Sequence, residues 1–281
     1  MMVIKAKKEL RFHLESLNTG QSVGLVPTMG ALHEGHISLV EKALSENDHV
    51  VVSIFVNPTQ FNNNEDLEKY PKTLEADLTL LKNISNDLII FTPSVAEIYP
   101  EHVGSKTYDF NGLDKVMEGA YRDDHFNGVG TIVEMLLRLV QPDCAYFGEK
   151  DFQQLQIIRK LVELEHLPVA IKGCPIVREA NGLAMSSRNE RLSNSLRKEA
   201  SFIYKTLQNA KKKFGTKSAK YIMDWVVQEF HDQPNFELEY FEISDIETLT
   251  PIQKKQQHLK YRAFVAVYAD GIRLIDNIAL N

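Results

Sequence analysis

The sequence has few cysteines, no excess of basic residues and no long apolar run, and each shortage excludes a class of protein. Only two of the 281 residues are cysteines, Cys144 and Cys174, and neither has the partner spacing of a disulfide or zinc framework. The formal net charge of −6 argues against nucleic-acid binding through bulk positive charge. We therefore expect two free thiols, a reducing compartment and no nucleic-acid partner.

Membrane and export signals are also missing. The longest apolar runs, such as residues 50–56, are far too short to span a bilayer. Residues 1–14 carry several charged side chains and no apolar core, so they do not form a secretory signal. We expect no membrane partner and a cytoplasmic location.

Several common catalytic motifs are absent as well. The chain has no glycine-rich loop that ends in Lys-Ser/Thr, no dinucleotide-binding fingerprint and no nucleophile elbow. Residues 33–36 (HEGH) do not have the histidine spacing of a zinc protease. The sequence therefore offers no support for P-loop, dehydrogenase, elbow-type hydrolase or zinc-protease chemistry.

Apolar strand-like and helix-like segments alternate through the first half of the chain. The predicted strands are residues 22–27, 49–56, 87–92, 144–148 and 168–173. The predicted helices are residues 35–46, 73–83, 128–140 and 151–165. This alternation predicts an α/β, Rossmann-like domain with a parallel sheet and helices on both faces. In such sheets ligands bind beyond the carboxyl ends of the strands.

The pattern changes after about residue 178. Residues 195–213 and 217–230 have the spacing of amphipathic helices, and residues 236–243 alternate as a strand does. Asp270-Gly271 separates two further strand-like segments and predicts a hairpin. We predict a domain of residues 1–176 followed by a smaller α+β domain, residues 177–281, with an antiparallel sheet.

Residues 27–36 (PTMGALHEGH) join the first predicted strand of the sheet to its helix. The free N–H groups of a helix N-terminus suit phosphate, and His33 and His36 add imidazole donors to them. Met29 and Gly30 lie at the strand end, where their backbone groups are available to a ligand. The alternative is a pair of surface histidines in a loop.

Amide side chains follow two other predicted strands. Asn57 and Gln60 come after the second strand, and their amides suit a small substrate with a hydroxyl and a carboxylate. A structural turn is the alternative role for them. Gln153 and Gln154 point about 100° apart on a helix, so only one should face the cleft, and helical phase does not decide which.

Two segments carry groups that suit phosphate. Residues 147–154 (FGEKDFQQ) place Gly148 for close backbone approach, Lys150 as a point charge and Asp151 where a helix cap is the alternative role. Residues 185–188 (MSSR) combine two hydroxyls with a guanidinium, a set that suits a polyphosphate. A serine that caps the following helix is the alternative there.

Two further polar segments have ordinary explanations. Arg122 and His125 lie in residues 119–129, which resemble a polar flap before a helix, and a solvated loop is the expectation for them. Asp77 lies within a predicted helix, where we expect a solvated face, with a metal-ligand role as the lesser alternative.

Together these segments resemble the pantothenate synthetase (pantoate–β-alanine ligase) family over essentially the whole chain. Residues 27–36, 55–61, 70–71, 125–129, 147–154, 186–189 and 273–277 carry the resemblance in order. Residues 33–36 are similar to the His-Ile-Gly-His element of the wider nucleotidyltransferase superfamily, and residues 185–188 to its mobile second signature. The family pattern is Arg-Pro-Gly-His-Phe where this chain has residues 122–126 (RDDHF).

The resemblance implies a homodimer and a reaction of pantoate, β-alanine and ATP, with Mg²⁺, that yields pantothenate, AMP and pyrophosphate through a pantoyl adenylate. It implies that Gln60 and Gln154 hold pantoate and that Asp151 holds the ATP ribose. Further ATP-binding residues implied are Met29, Gly30, His33, His36, Gly148, Lys150, Val177, Met185, Ser186, Ser187 and Arg188. The phosphate-binding groups among them, which would be catalytic, are His33, His36, Lys150, Ser186, Ser187 and Arg188. Another adenylyltransferase of the superfamily, or an ATP-binding regulatory module, is the alternative.

Overall fold

A computed structural model describes residues 1–61 and 64–281, and it divides the chain into two compact units. The first unit comprises Met1–Glu149 and Gln154–Pro175, and the second comprises Lys150–Gln153 and Ile176–Asn281. The domain limits at 176 and 177 stay a prediction. Among the described residues no helix is both long and apolar enough to cross a membrane.

The first unit is built on a parallel sheet, which in the described residues has six strands. They are β1 (Met2–Ile4), β2 (Val23–Thr28), β3 (His49–Ile54), β4 (Ile89–Phe91), β5 (Cys144–Gly148) and β6 (Ala170–Cys174). Their order is β1-β4-β3-β2-β5-β6, so the direction of winding reverses between β2 and β5. Ligands bind in such sheets beyond the carboxyl ends of the strands at this reversal.

Helices connect the strands of this sheet. They are α1 (Lys7–Glu15), α2 (Glu34–Glu46), α3 (Asn64–Glu68), α4 (Leu74–Ile84), α5 (Val95–Ile98), α6 (Glu118–Tyr121), α7 (His125–Val140) and α8 (Phe152–Leu164). Short 3₁₀ helices occupy Pro58–Gln60 and Glu149–Asp151. Val50, Val51 and Val52 are consecutive on β3 and all buried, so both faces of the sheet are covered.

The carboxylate of Glu134 is a buried charge in α7 of the first unit. It accepts hydrogen bonds from Lys106 Nζ at 2.7 Å, Tyr108 OH at 2.6 Å and Arg138 Nε at 2.6 Å. Burial alone would raise the pKa of Glu134, but these bonds dominate and lower the pKa from 4.5 to about 2. Arg138 also contacts Glu165 at 2.6 Å, which extends the cluster to the end of α8.

The second unit packs helices on an antiparallel sheet. Its elements are α9 (Asn194–Glu199), α10 (Ser201–Phe214), α11 (Ala219–His231), β7 (Glu237–Asp245), β8 (Tyr261–Ala269), β9 (Ile272–Ala279) and a 3₁₀ helix, Ser187–Arg191. Its buried core joins Leu207 and Ile222 of the helices to Ile243 and Val265 of the sheet. The predicted fold class is confirmed, and the hairpin lies at Asp270-Gly271, whose φ angles of 52° and 70° fit a type I′ turn.

Besides the short helices α3, α5 and α6, the sequence pattern misses three features of this fold. The helix predicted over 195–213 is two helices that meet at Ala200, where neither glycine nor proline marks the break. Strand β1 and helix α1 were not predicted. With three residues, β1 is too short to show a period, and its strand geometry depends on pairing with β4.

Candidate active site

The turn after β2 is held by polar contacts. Thr28 Oγ1 donates to Ser53 O at 2.8 Å and accepts from Gly30 N at 3.2 Å. Gly30 has a φ of +79°, a backbone conformation that glycine adopts without strain. The turn therefore sets the backbone of residues 29–30 at the carboxyl end of β2.

Asp77 anchors the next part of this turn. Its Oδ2 accepts from Ala31 N at 3.0 Å and its Oδ1 from Leu32 N at 2.8 Å. The expectation of a solvated helix face is wrong, because Asp77 is only 3% exposed. Both carboxylate oxygens are engaged by backbone N–H groups, and this use leaves Asp77 poorly suited to ligate a metal.

His33 and His36 form a reciprocal cap at the start of α2. His33 Nδ1 accepts from Gly35 N at 3.1 Å, and His36 Nδ1 accepts from His33 N at 3.4 Å. The two rings are 4.1 Å apart. Because Nδ1 acts as an acceptor in each ring, the proton of the neutral imidazole lies on Nε2, which is then a donor directed away from the helix backbone.

The segment after β3 presents Gln60. Its Nε2 contacts Met29 Sδ, which ties the segment to the turn after β2. Asn57 is fully buried and donates to Gly128 O at 3.1 Å, while its Oδ1 accepts from Tyr99 OH at 2.7 Å. The structural role that was the alternative for Asn57 is therefore confirmed.

Two residues at and just before the start of α7 contact the backbone oxygen of Gln60. The Nδ1 of His125 lies 2.8 Å from Gln60 O, and Arg122 Nη2 donates to the same oxygen at 3.2 Å. The expectation of a solvated loop is wrong for His125, which is 6% exposed and is the first residue of α7. Asp124 has a φ of +58° where the family pattern has glycine, and aspartate tolerates this conformation.

The two adjacent glutamines at the start of α8 differ in exposure. Gln153 is buried, and Gln154 is partly exposed. Helical phase had left the choice between them open. The assignment of pantoate binding to Gln154 stays a prediction.

The remaining predicted site residues, apart from Gly148 at the end of β5, lie in the second unit. Lys150 and Asp151 lie side by side, with Nζ 3.5 Å from the carboxylate. Residues 177–185 form a hairpin in which Met185 N donates to Val177 O at 3.0 Å. Ser186 Oγ accepts from Arg188 N at 3.3 Å at the start of Ser187–Arg191, so the capping role of a serine here is confirmed.

Residues 276–277 belong to a segment that resembles the family, but no sequence pattern assigns them a role. Asp276 binds Arg178 through both carboxylate oxygens, and Asn277 Nδ2 donates to Lys150 O at 2.8 Å. Burial raises the pKa of Asp276, and the bonds from Arg178 oppose this shift. No local sequence signal indicates contacts between residues that are 98 and 127 positions apart.

Comparisons with known proteins agree on one family. The family model described as Pantoate-beta-alanine ligase matches residues 2–279. A pantothenate synthetase of Christiangramia forsetii is 57% identical over 100% of both chains, and one of Bacteroides thetaiotaomicron is 48% identical over 99% of this chain and 98% of its own.

Solved structures give the same result. A pantothenate synthetase structure from Thermus thermophilus superposes with a TM-score of 0.92 at 41% identity, and the match covers 100% of this chain and 99% of the other. A pantoate-beta-alanine ligase structure from Francisella tularensis, described as complexed with beta-gamma ATP and beta-alanine, has a TM-score of 0.81 at 35% identity over 100% and 98% of the two chains. The chain belongs to the pantoate–β-alanine ligase family.

Proposed function

We propose that this protein condenses pantoate with β-alanine at the expense of ATP and forms pantothenate, AMP and pyrophosphate. The observation that carries the proposal is the match to the ligase family over residues 2–279, together with the cap formed by two histidines after β2. The Francisella tularensis relative, described as complexed with beta-gamma ATP and beta-alanine, supports the choice of substrates.

The first step forms pantoyl adenylate. A carboxylate oxygen of pantoate attacks the α-phosphorus of ATP, and the bond to the β-phosphate oxygen breaks as pyrophosphate leaves. Negative charge accumulates on phosphate oxygens, so fixed donors accelerate this step. His33 and His36 supply such donors through Nε2. Lys150 and Arg188 add positive charge, and Ser186 and Ser187 add hydroxyl donors.

The second step forms the amide bond. The amine of β-alanine attacks the acyl carbon of the adenylate, loses a proton, and AMP leaves with the electrons of the broken acyl–oxygen bond. Neither step requires a covalent bond to the enzyme. Positioning and electrostatic stabilisation therefore account for catalysis.

The remaining site residues bind the substrates without reacting. Gln60 and Gln154 hold the hydroxyl and carboxylate of pantoate, and the engaged backbone of Gln60 keeps its side chain in place. Asp151 binds the ribose of ATP. The backbone at the other proposed ATP-binding positions lines the nucleotide, namely Met29, Gly30, Gly148, Val177 and Met185.

Magnesium is proposed to enter with the nucleotide. Among residues 1–61 and 64–281, no group of three histidine, cysteine, aspartate or glutamate side chains is placed to hold a metal ion. Mg²⁺ keeps most of its waters and often binds through substrate phosphates. A dedicated protein cage does not fit these residues, so Mg²⁺ would be held by the triphosphate and would offset its charge.

We also propose a homodimer and a cytoplasmic location. The first unit exposes the large apolar side chains of Phe12 (75%) and Val103 (50%), which a partner chain would remove from water. Light scattering should give twice the mass of one chain, and a monomeric mass would contradict the dimer.

The free thiols of Cys144 and Cys174 suit a reducing compartment. Recovery of the protein in a membrane or secreted fraction would contradict the proposed cytoplasmic location.

Product analysis tests the reaction directly. The protein is incubated with ATP, Mg²⁺ and pantoate, with and without β-alanine. Equal amounts of pantothenate, AMP and pyrophosphate, formed over many turnovers only when the amine is present, support the ligase. ADP and phosphate would mean an acyl-phosphate route and contradict the adenylate. An adenylylated product would indicate another adenylyltransferase, and ATP binding without turnover would indicate a regulatory module.

A further inference from the structure

Asp276 and Asn277 are adjacent near the end of β9 and are almost completely buried, at 4% and 2% exposure. They belong to residues 273–277, for which the proposed mechanism gives no role. Consecutive residues of a strand point to opposite faces of the sheet. The pair therefore reaches two different segments of the second unit at once.

Asn277 holds the segment that contains Lys150. Its Nδ2 donates to Lys150 O at 2.8 Å, and its Oδ1 accepts from Arg262 Nη1. A guanidinium only donates and a carbonyl only accepts, so these two partners fix the orientation of the amide. The Arg262 guanidinium also lies 4.1 Å over the Phe152 ring, which secures the same segment at a second point.

Asp276 holds the hairpin that leads to residues 185–188. Its two oxygens bind Arg178 Nη1 at 2.6 Å and Nη2 at 2.9 Å, a forked ion pair with little freedom. Arg178 also donates to Gly182 O at 3.1 Å and lies 3.6 Å over the Tyr204 ring. Strand β9 therefore holds the hairpin through Asp276 and the Lys150 segment through Asn277.

We infer that Asp276 and Asn277 are positioning residues that hold Lys150 and the Ser186–Arg188 loop in one preassembled cradle for the triphosphate of ATP. The inference rests on the proposed function, which assigns both segments to phosphate. A cradle formed before the nucleotide binds avoids the cost of ordering two segments during the reaction. Asp276 and Asn277 act through these segments and need no contact with the substrate.

The variant Asn277→Asp separates the two contacts of the amide. It keeps an acceptor for Arg262 but places a second acceptor against Lys150 O, so only the contact to the Lys150 segment is lost. Pyrophosphate release in a single turnover with ATP and pantoate should slow about 10- to 100-fold. The value of kcat/KM for β-alanine should not change, because the amine reacts after pyrophosphate has left.

The matched control is Glu239→Gln, which weakens the Glu239–Arg273 ion pair in the same sheet without touching either phosphate segment. It should leave pyrophosphate release unchanged. Fluorescence of Trp225, the single tryptophan of the chain, reports unfolding of the second unit in both variants. If Asn277→Asp does not fold, Asn277→Ala is used in its place. A normal rate in the folded Asn277 variant, or equal slowing by Glu239→Gln, would overturn the inference.

A double-mutant cycle with Lys150→Ala shows whether Asn277 acts through Lys150. If it does, Asn277→Asp should slow pyrophosphate release much less in the Lys150→Ala background than in the native one. Fully additive effects would overturn the inference and leave the phosphate role of Lys150 intact. A Lys150→Ala variant with the native rate would instead contradict the proposed function, and with it the inference.

Discussion

Replacement of Gly128 by alanine should displace Gln60 without unfolding the protein. Gly128 lies in the first turn of α7, and a Cβ there would lie 2.3 Å from Thr59 O and 2.9 Å from Gln60 N. An ordinary carbon–oxygen contact is about 3.3 Å, so residues 59–60 must retreat by about 1 Å. Both atoms belong to the backbone, so no change of rotamer relieves the clash.

This displacement should appear in the kinetics of pantoate. A shift of about 1 Å in a positioning group costs up to about 100-fold in rate, so kcat/KM for pantoate should fall by about 10- to 100-fold. Overpacking costs about 1–3 kcal/mol, and alanine gains about 1 kcal/mol over glycine inside a helix. The net loss of stability is therefore at most about 2 kcal/mol, which leaves a folded enzyme to assay.

Gly130→Ala is the matched control, because Gly130 lies in the same helix but faces other neighbours. Its Cβ would meet the side chains of Tyr108 at 2.9 Å and Phe110 at 3.2 Å, not the segment that carries Gln60. Pyrophosphate release is measured against pantoate at saturating ATP and β-alanine, with unfolding followed by circular dichroism. Native kcat/KM in Gly128→Ala, or an equal loss in Gly130→Ala, would refute the reasoning.

Three further predictions concern the histidine cap, the exposed glutamine and the buried acid. His36→Ala should lower kcat more than it raises the KM for pantoate, because its donor acts on charge that develops in the transition state; an unchanged kcat would exclude this role. Gln154→Ala should weaken pantoate binding in calorimetry by about 1–3 kcal/mol, and Gln153→Ala should weaken it less; an unaltered Kd for Gln154→Ala contradicts the assignment. Glu134 has a lowered pKa, so its stabilisation is complete above about pH 4.5 and is lost as the pH falls toward about 2. Glu134→Gln should therefore lower the free energy of unfolding in urea at pH 7 by at most about 3 kcal/mol, because its cationic partners are half exposed. Glu165→Gln should lower it by less, and equal effects of the two variants would contradict this.

Local sequence patterns predict the parts of the site that are local. The strand predicted over 22–27 is Val23–Thr28, and the helix predicted over 35–46 is Glu34–Glu46. Apolar period and turn chemistry determine both elements, so the position of His33 and His36 at the start of the helix follows from the sequence. The capping contacts from backbone N–H groups to the two rings do not, because they depend on the side-chain orientations adopted at the helix start.

Long-range contacts decide the roles that the sequence missed. Asp77 was expected to be solvated because a charged residue within a helix usually faces water, yet the turn 45 residues earlier supplies two backbone donors. His125 is buried because Gln60 O lies 2.8 Å from its Nδ1. Helical phase also left Gln153 and Gln154 undecided, and only packing distinguishes them. Contacts of this kind have no sequence period, so pattern analysis does not detect them.

The two units contribute different kinds of polar group to the proposed reaction. The groups of the first unit are amides and imidazoles held in place by the protein itself, as Gln60 is by Met29 and His36 by the backbone of His33. The proposed cations, Lys150 and Arg188, belong to the second unit. Oriented neutral groups discriminate a small hydroxy acid by its hydrogen bonds, whereas cations stabilise any polyphosphate. Selectivity for pantoate should therefore depend on Gln60 and Gln154 of the first unit, whereas the rate of pyrophosphate release should depend on the two histidines of the first unit and on the cations of the second.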